Sequence, residues 1–324
     1  TKRKHDDGDH ERAAFSATVR RGAQVFKWKA CFDSLPLDVT PGSPWLLLPP
    51  ATRAAFERLR QAGPSLEQSG FGRPLLGVKT GCNAAYIVRV DNLDGELASI
   101  SSDRRQGLIE RKMLRPLVRG ESLAAWDVTG PREYLLWPHA DDNAPHKQLS
   151  TLARQWLLPH RDQLAMRSDL RARLPWWTLF RTESARVDRA RVIWADFGLV
   201  PRAMAVEHGD KIVPLNSCYV AECERLDDAR ALAALLNSPL AAAWLNVLAE
   251  PARGGYHRYL GWTMSLLPLP TNWDRARREL APLCKRARSG DVPTDAELLE
   301  AVIGAYGVSV EEIEPLLSWE RHCD

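Results

Sequence analysis

The feature that most constrains this chain is a change of hydrophobic period along its length. From residue 76 to 223 the apolar residues come in short runs cut by Gly, Pro and charged residues, the pattern of strands and turns. From 227 onward they recur at helical spacing, and each stretch carries its own boundary signals. Ser238-Pro239 supplies an N-cap followed by proline at the first helical position. Thr294 and Glu297 form a capping box before a run that Gly307 ends, and Ser309 with Glu312 repeats the device. The expected class is therefore α+β: a mixed, largely antiparallel sheet region with packed helices, followed by a helical C-terminal tail. No internal repeat recurs at a fixed period.

Four divisions follow. Residues 1–12 are nearly all charged and are expected to form a disordered tail. Residues 13–75 are expected to be a connector with one helix, N-capped by Thr52, showing Phe56 and Leu59 on one face and stopped by Gly63-Pro64. The run PWLLLPP ahead of it should be buried extended chain. Residues 76–270 form the main domain and 271–324 a helical subdomain. In the main domain LLGVKTGCNAAYIVRVD (75–91) is expected to be a hairpin turning at VKTGCN, and 109–120 and 132–139 are further strand candidates. The Arg-rich stretch 150–174 has helical spacing interrupted by Pro159.

A chain of 324 residues with 45% hydrophobic and 26% charged residues can bury a real core, which excludes disorder as a whole. The net charge of +3 excludes a polycation, so a nucleic-acid surface would have to be a local patch. Of the basic residues 35 are Arg and 9 Lys, a bias suited to oriented contacts with phosphate and guanine but also produced by a GC-rich genome. The six cysteines show no C-x-x-C pair and no disulfide framework, as expected of a reducing cytosol, so a cytoplasmic location is expected. The apolar stretch 231–249 is broken by Asn237, Ser238, Pro239 and Asn246, so no membrane partner is expected. The opening Thr1, in place of Met, is expected of a fragment or a processed chain.

Motifs of catalysis are sparse. No G-x-S-x-G, P-loop, H-E-x-x-H or strand-borne G-x-G-x-x-G occurs. His208, Cys218 and Cys223 make only a weak zinc set. Asp91 or Asp94 ahead of Glu110-Arg111-Lys112 would supply two carboxylates and a lysine for Mg²⁺-assisted phosphodiester hydrolysis, with Asp94, Glu110 and Lys112 as the working set; a strand face of alternating charges gives the same pattern. The one Pro-Pro, in Leu48-Pro49-Pro50-Ala51, lacks the polar and aromatic neighbours with which adenine methyltransferases hold a flipped base. Gly70-Phe71-Gly72 does not sit at a strand-to-helix turn. No catalytic, metal or cofactor residue is therefore assigned within the chain.

Four ordered segments are more informative: GVKTGCNAAYIV (77–88), LRPLVRGESLAAW with YLLWPH (114–139), VPLNSCYVAE (213–222), and ALLNSPLAAAWLNVLAEPARGGYHRYLGWTMSLLPLP (234–270). Together they resemble the C-terminal target recognition domain of adenine-specific DNA methyltransferases, of the TaqI-like and type IIG restriction-modification kind. The resemblance covers roughly 45–320 and implies duplex DNA as partner. It further implies a methyltransferase catalytic domain, in cis or in trans, that carries S-adenosylmethionine. The candidate DNA contacts are Lys79, Thr80 and Asn83 at the VKTGCN turn, Arg115 and Arg119 around Pro116, and Arg253, Gly254, Gly255, Tyr256 and Arg258 in the Gly-Gly loop. The residue types suit the task, since cations hold phosphate, amides and hydroxyls read base edges, and aromatics stack. Each set also has a plain reading as a turn or a solvated strand face. A third possibility is a protein-interaction subunit docking through 272–320, although the apolar residues there, Leu298, Leu299, Val302 and Ile303, more often cover a chain's own core.

Overall fold

The computed structural model describes residues 14–321 apart from Gly22 and Arg104. The segment expected as a charged tail lies outside the described residues. The described chain opens with an antiparallel ribbon, β1 (Ala14–Arg21) on β2 (Gln24–Cys31). In the following extended run Leu46 and Leu48 are buried and Trp45 and Leu47 exposed, so PWLLLPP is half-buried, not buried throughout. Helix α1 (Pro50–Arg60) starts two residues before the expected cap, because Pro50 has its φ preset for a first turn. Thr52 lies inside the helix, and its hydroxyl donates to the Pro315 carbonyl near the C-terminus.

The expected hairpin at VKTGCN does not form. Strand β3 (Leu75–Leu76) and strand β4 (Ile87–Asp94) flank a one-turn helix, α2 (Asn83–Tyr86), and run into different sheets. Each apolar run finds a better partner elsewhere, so the turn becomes the crossing between two sheets. After β4 come β5 (Leu97–Ser102), β6 (Arg105–Glu110), β7 (Leu114–Val118) and β8 (Glu133–Leu136). Short helices α3 (Thr151–Leu157) and α4 (Arg161–Ala165) are separated at Pro159, where the interruption was expected, and no helix continues from Ala165 to 174. Then follow β9 (Ala190–Ala195), β10 (Phe197–Gly198), β11 (Ala203–Val206), β12 (Val213–Pro214) and β13 (Cys218–Cys223).

One sheet has six strands in the order β12-β7-β8-β4-β5-β6, antiparallel except for the parallel β12–β7 pair. Its core joins Ile100, Ile109 and Leu135 to Trp156 and Leu157 of α3. A second, antiparallel sheet has the order β11-β9-β13-β3. Val192 and Trp194 of β9 face the helices, while Ile193 and Ala195 face Val118 and Leu123 on the other side. Burial on both faces explains why RVIWA reads as an unbroken apolar run. Arg191 lies within it, fully buried, donating to the carbonyls of Ser184, Asp210 and Ile212.

The remaining chain is α5 (Leu226–Leu236), α6 (Pro239–Leu248), a small pairing of β14 (Glu250–Pro251) with β15 (His257–Arg258), then α7 (Gly261–Ser265), α8 (Trp273–Arg288), α9 (Asp295–Tyr306) and α10 (Val310–Arg321). The helix starts were legible. The Ser238 hydroxyl accepts from Ala241 N–H, and the Thr294–Glu297 and Ser309–Glu312 boxes form in both directions. These helices share one core with α1 and the second sheet, running from Leu37 to Trp319, with Phe56 stacked on Trp244 at 4.7 Å. Residues on both sides of 270/271 contribute to this core, as does α1. Among the described residues no single helix is long and apolar enough to cross a membrane; the apolar pair α5–α6 is bent by 71°.

Candidate functional site

The crossing between the sheets is held by Arg167, which comes from the Arg-rich stretch 150–174. The Arg167 guanidinium donates to the carbonyls of Thr80, Trp176 and Thr178, and its Nε to Leu164. It lies over the Phe180 ring at 4.8 Å. A Cβ on Gly81 would stand 2.4 Å from Arg167 Cδ, and Gly81 has φ +71°. Only glycine therefore lets the turn close over this side chain. Lys79 pairs through its backbone with Phe180, and its exposed ammonium sits 2.5 Å from Asp169. That hydrogen bond and charge hold the Asp169 carboxyl below its ordinary pKa. Thr80 is buried, and its hydroxyl donates to Asn83 Oδ1 at 2.6 Å. Of the three expected contacts here, Lys79 and Asn83 present side chains to solvent, whereas Thr80 shapes the turn.

Asn83 and Arg119 come together on a cleft of about 550 Å³ with mixed polar and apolar lining, walled by Arg89, Arg105, Trp156 and His160 and by the carboxylates of Asp103 and Glu133. Arg119 reaches Glu121 at 2.9 Å and Glu133 at 3.0 Å, so its charge is already partnered. Gly120 is needed beside it, because a Cβ there would lie 2.6 Å from the Ser217 carbonyl. Arg115 behaves differently. It is 2% exposed, lies over Trp137 at 4.2 Å and pairs with Asp141 at 2.8 Å. Burial lowers its pKa against the pull of Asp141. Its guanidinium is packed inward, and the expected groove-facing role is not what its position provides.

The Gly-Gly loop projects from a three-stranded sheet ordered β10-β15-β14. Arg253, Gly254, Gly255, Tyr256 and Arg258 are all exposed there. Gly254 and Gly255 have φ of +78° and +74°, and Ala252 N–H closes the loop onto the Tyr256 carbonyl. Tyr256 stacks on Phe197 with centroids 4.8 Å apart and planes at 9°. Hydrogen bonds tie this loop to the Arg119 bend: Gly120 N–H donates to the Ser217 side-chain Oγ, Asp196 N–H to the Ser217 carbonyl, and Tyr259 N–H to the Asp196 carbonyl. Burial raises the pKa of Asp196, with Arg258 opposing it. Arg89, Arg105, Arg167, Phe197 and Asp196 were not singled out from sequence. Nothing in their local spacing marks them, since each acquires its place through a contact distant along the chain.

The nuclease arrangement is not assembled. Glu110 accepts from Ser150 Oγ and from the N–H groups of Leu152 and Ala153 at the start of α3. Burial pushes its pKa up, but these bonds outweigh that and hold it below the ordinary value. Asp94 and Glu110 both pair with Leu97 from opposite sides, two strand spacings apart, or about 10 Å. Among the described residues no cluster of three or more His, Cys, Asp or Glu could hold a metal ion. Cys218 and Cys223 lie in different core clusters on opposite faces of β13, so they cannot share one ion, and burial pushes both thiols up. In the tail, Leu298, Val302 and Ile303 are buried and Leu299 packs against the same core, so they cover this chain rather than offer a docking face.

No family model matches the chain. Two curated proteins are similar to it. The Type II methyltransferase M.PaeR7I of Pseudomonas aeruginosa is 28% identical over 286 residues, which is 85% of this chain and 45% of that protein. The Type II methyltransferase M.XhoI of Xanthomonas vasicola is 24% identical over 282 residues, 85% of this chain and 47% of that protein. The chain thus spans about half the length of the curated relatives it matches. Among solved structures, the Type IIL restriction-modification enzyme MmeI in complex with DNA superposes with a TM-score of 0.49 at 12% identity, covering 77% of this chain and 35% of that one.

Proposed function

We propose that this chain is the DNA-reading part of an adenine-specific Type II DNA methyltransferase of a restriction-modification system. Methyl transfer would be the work of a catalytic half, in cis or in trans, that holds S-adenosylmethionine. The observation that carries this reading is similarity to two Type II methyltransferases along 85% of the chain, by a polypeptide about half their length with no methyl-transfer motif of its own. The geometry supports it. Lys79, Asn83 and Arg119 are exposed or cleft-lining groups at the crossing between the two sheets, and the Arg253–Arg258 loop is exposed on the small three-stranded sheet. Such presentation is what sequence readers need, since phosphate contacts fix register and base-edge contacts choose sequence.

The test is duplex binding against salt concentration. Affinity should fall linearly on a log–log plot, and Arg253→Ala and Arg258→Ala should each shallow the slope by about 1. A folded chain that binds no duplex at low salt refutes the reading.

A further inference from the structure

The Gly-Gly loop carries more than cations. Phe197 and Tyr256 are 43% and 38% exposed, unusually open for two rings already stacked on each other. Leu199 and Val200 beside them are exposed as well. Phe197 pairs with Arg258 across the small sheet, and Arg258 with Glu250, which places Phe197 and Arg258 on the same sheet face. Arg253 at the loop tip and Arg202 at the end of the neighbouring turn are exposed, and neither makes an ion pair among the described residues. Gly254 and Gly255 both have positive φ, which lets the chain fold back tightly and leaves the loop close to the Tyr256 ring and Leu199. The result is an exposed aromatic stack on a tightly folded loop, with Arg258 beside Phe197, Glu250 next across the sheet, and Arg202 and Arg253 on the adjoining turns.

We propose that the Phe197–Tyr256 stack is a platform for a DNA base displaced from its pair, with Arg202, Arg253 and Arg258 holding the flanking phosphates. This rests on the DNA-reading function proposed above and adds a site to it. A third ring laid on the stack buries apolar surface that is now wet, and aromatic stacking tolerates any base. The bordering cations favour a polyanion over a neutral protein face. Methyl transfer to a base requires that base to leave the duplex, so a nearby acceptor for its displaced partner lowers the cost of opening.

The test compares a matched duplex with one carrying a central unpaired bubble, bound to the whole chain. The wild type should prefer the bubble about tenfold, the size expected for one base–aromatic stack. Phe197→Ala should remove that preference while leaving matched-duplex affinity within about twofold; Tyr256→Ala should remove it as well, and Tyr256→Phe should keep it. A preference that survives both alanine changes overturns the platform. So does a wild type that binds matched duplex but ignores the bubble, the result expected if these rings instead pack on protein. A wild type that binds neither DNA fails the function proposed above, and the platform with it.

Discussion

Acid should unfasten the Lys79 turn through one buried histidine. His139 is 4% exposed; its Nδ1–H donates to the Asn143 carbonyl at 2.8 Å, and its Nε2 accepts from Leu179 N–H at 2.9 Å. The acceptor role of Nε2 requires the neutral ring, since both nitrogens of a protonated imidazole are donors. Burial lowers its pKa from 6.5 to about 4, against the Asn143 hydrogen bond, which acts the other way. The residue after Leu179 is Phe180, whose backbone pairs with Lys79, so the imidazole holds the strap on which the turn rests. In the unfolded chain His139 takes a proton near pH 6.5, and in the folded chain only near pH 4. The unfolded state therefore binds more protons in that window, and stability rises with pH across it. The contribution is complete above about pH 6.5 and is lost as pH falls toward 4. At about 1.4 kcal/mol per tenfold change in proton affinity, the drop from pH 7.5 to 5 is about 2 kcal/mol. Urea denaturation at the two pH values, read by tryptophan fluorescence, measures it; Trp137 lies 5.3 Å from the His139 ring and reports locally. His139→Gln should be less stable at pH 7.5 yet lose about 2 kcal/mol less than the wild type on acidification. Equal losses in the two proteins would refute the reasoning.

Two further outcomes follow from the turn and from the helix it faces. Gly81→Ala should destabilise by about 1–3 kcal/mol, because it adds a Cβ at positive φ against Arg167 Cδ; pairing it with Arg167→Ala should recover part of the loss if the contact is the cause. Glu110→Ala should cost about 1–2 kcal/mol in thermal or urea unfolding by uncapping α3. No Mg²⁺-dependent DNA cleavage should be detected in either Glu110→Ala or wild-type protein, and cleavage abolished by that change would restore the nuclease reading.

Much of the fold was legible because its signals are local. The capping boxes at Thr294 and Ser309 and the Ser238-Pro239 start depend on neighbours within a few residues. VKTGCN misled for the opposite reason. Two apolar runs around a glycine look like a hairpin, but β3 takes β13 as partner and β4 takes β5 and β8. Thr52 misled because Pro50, two residues earlier, is a better helix opener. The candidate site divided along the same line. Exposure of Arg253 and Arg258 follows from their Gly-Gly loop, whereas the inward turn of Arg115 depends on Trp137 and Asp141 across the chain. Arg167 could not be singled out, since its four carbonyl partners span Thr80 to Thr178.

The most direct test of sequence reading is selection from a random duplex library at moderate salt, followed by sequencing of the bound fraction. A DNA-reading part of an adenine methyltransferase should enrich one short motif containing adenine, and Arg253→Ala or Asn83→Ala should weaken or relax it. A bound pool with the same base composition as the starting library, from a chain that is folded, would contradict the proposal.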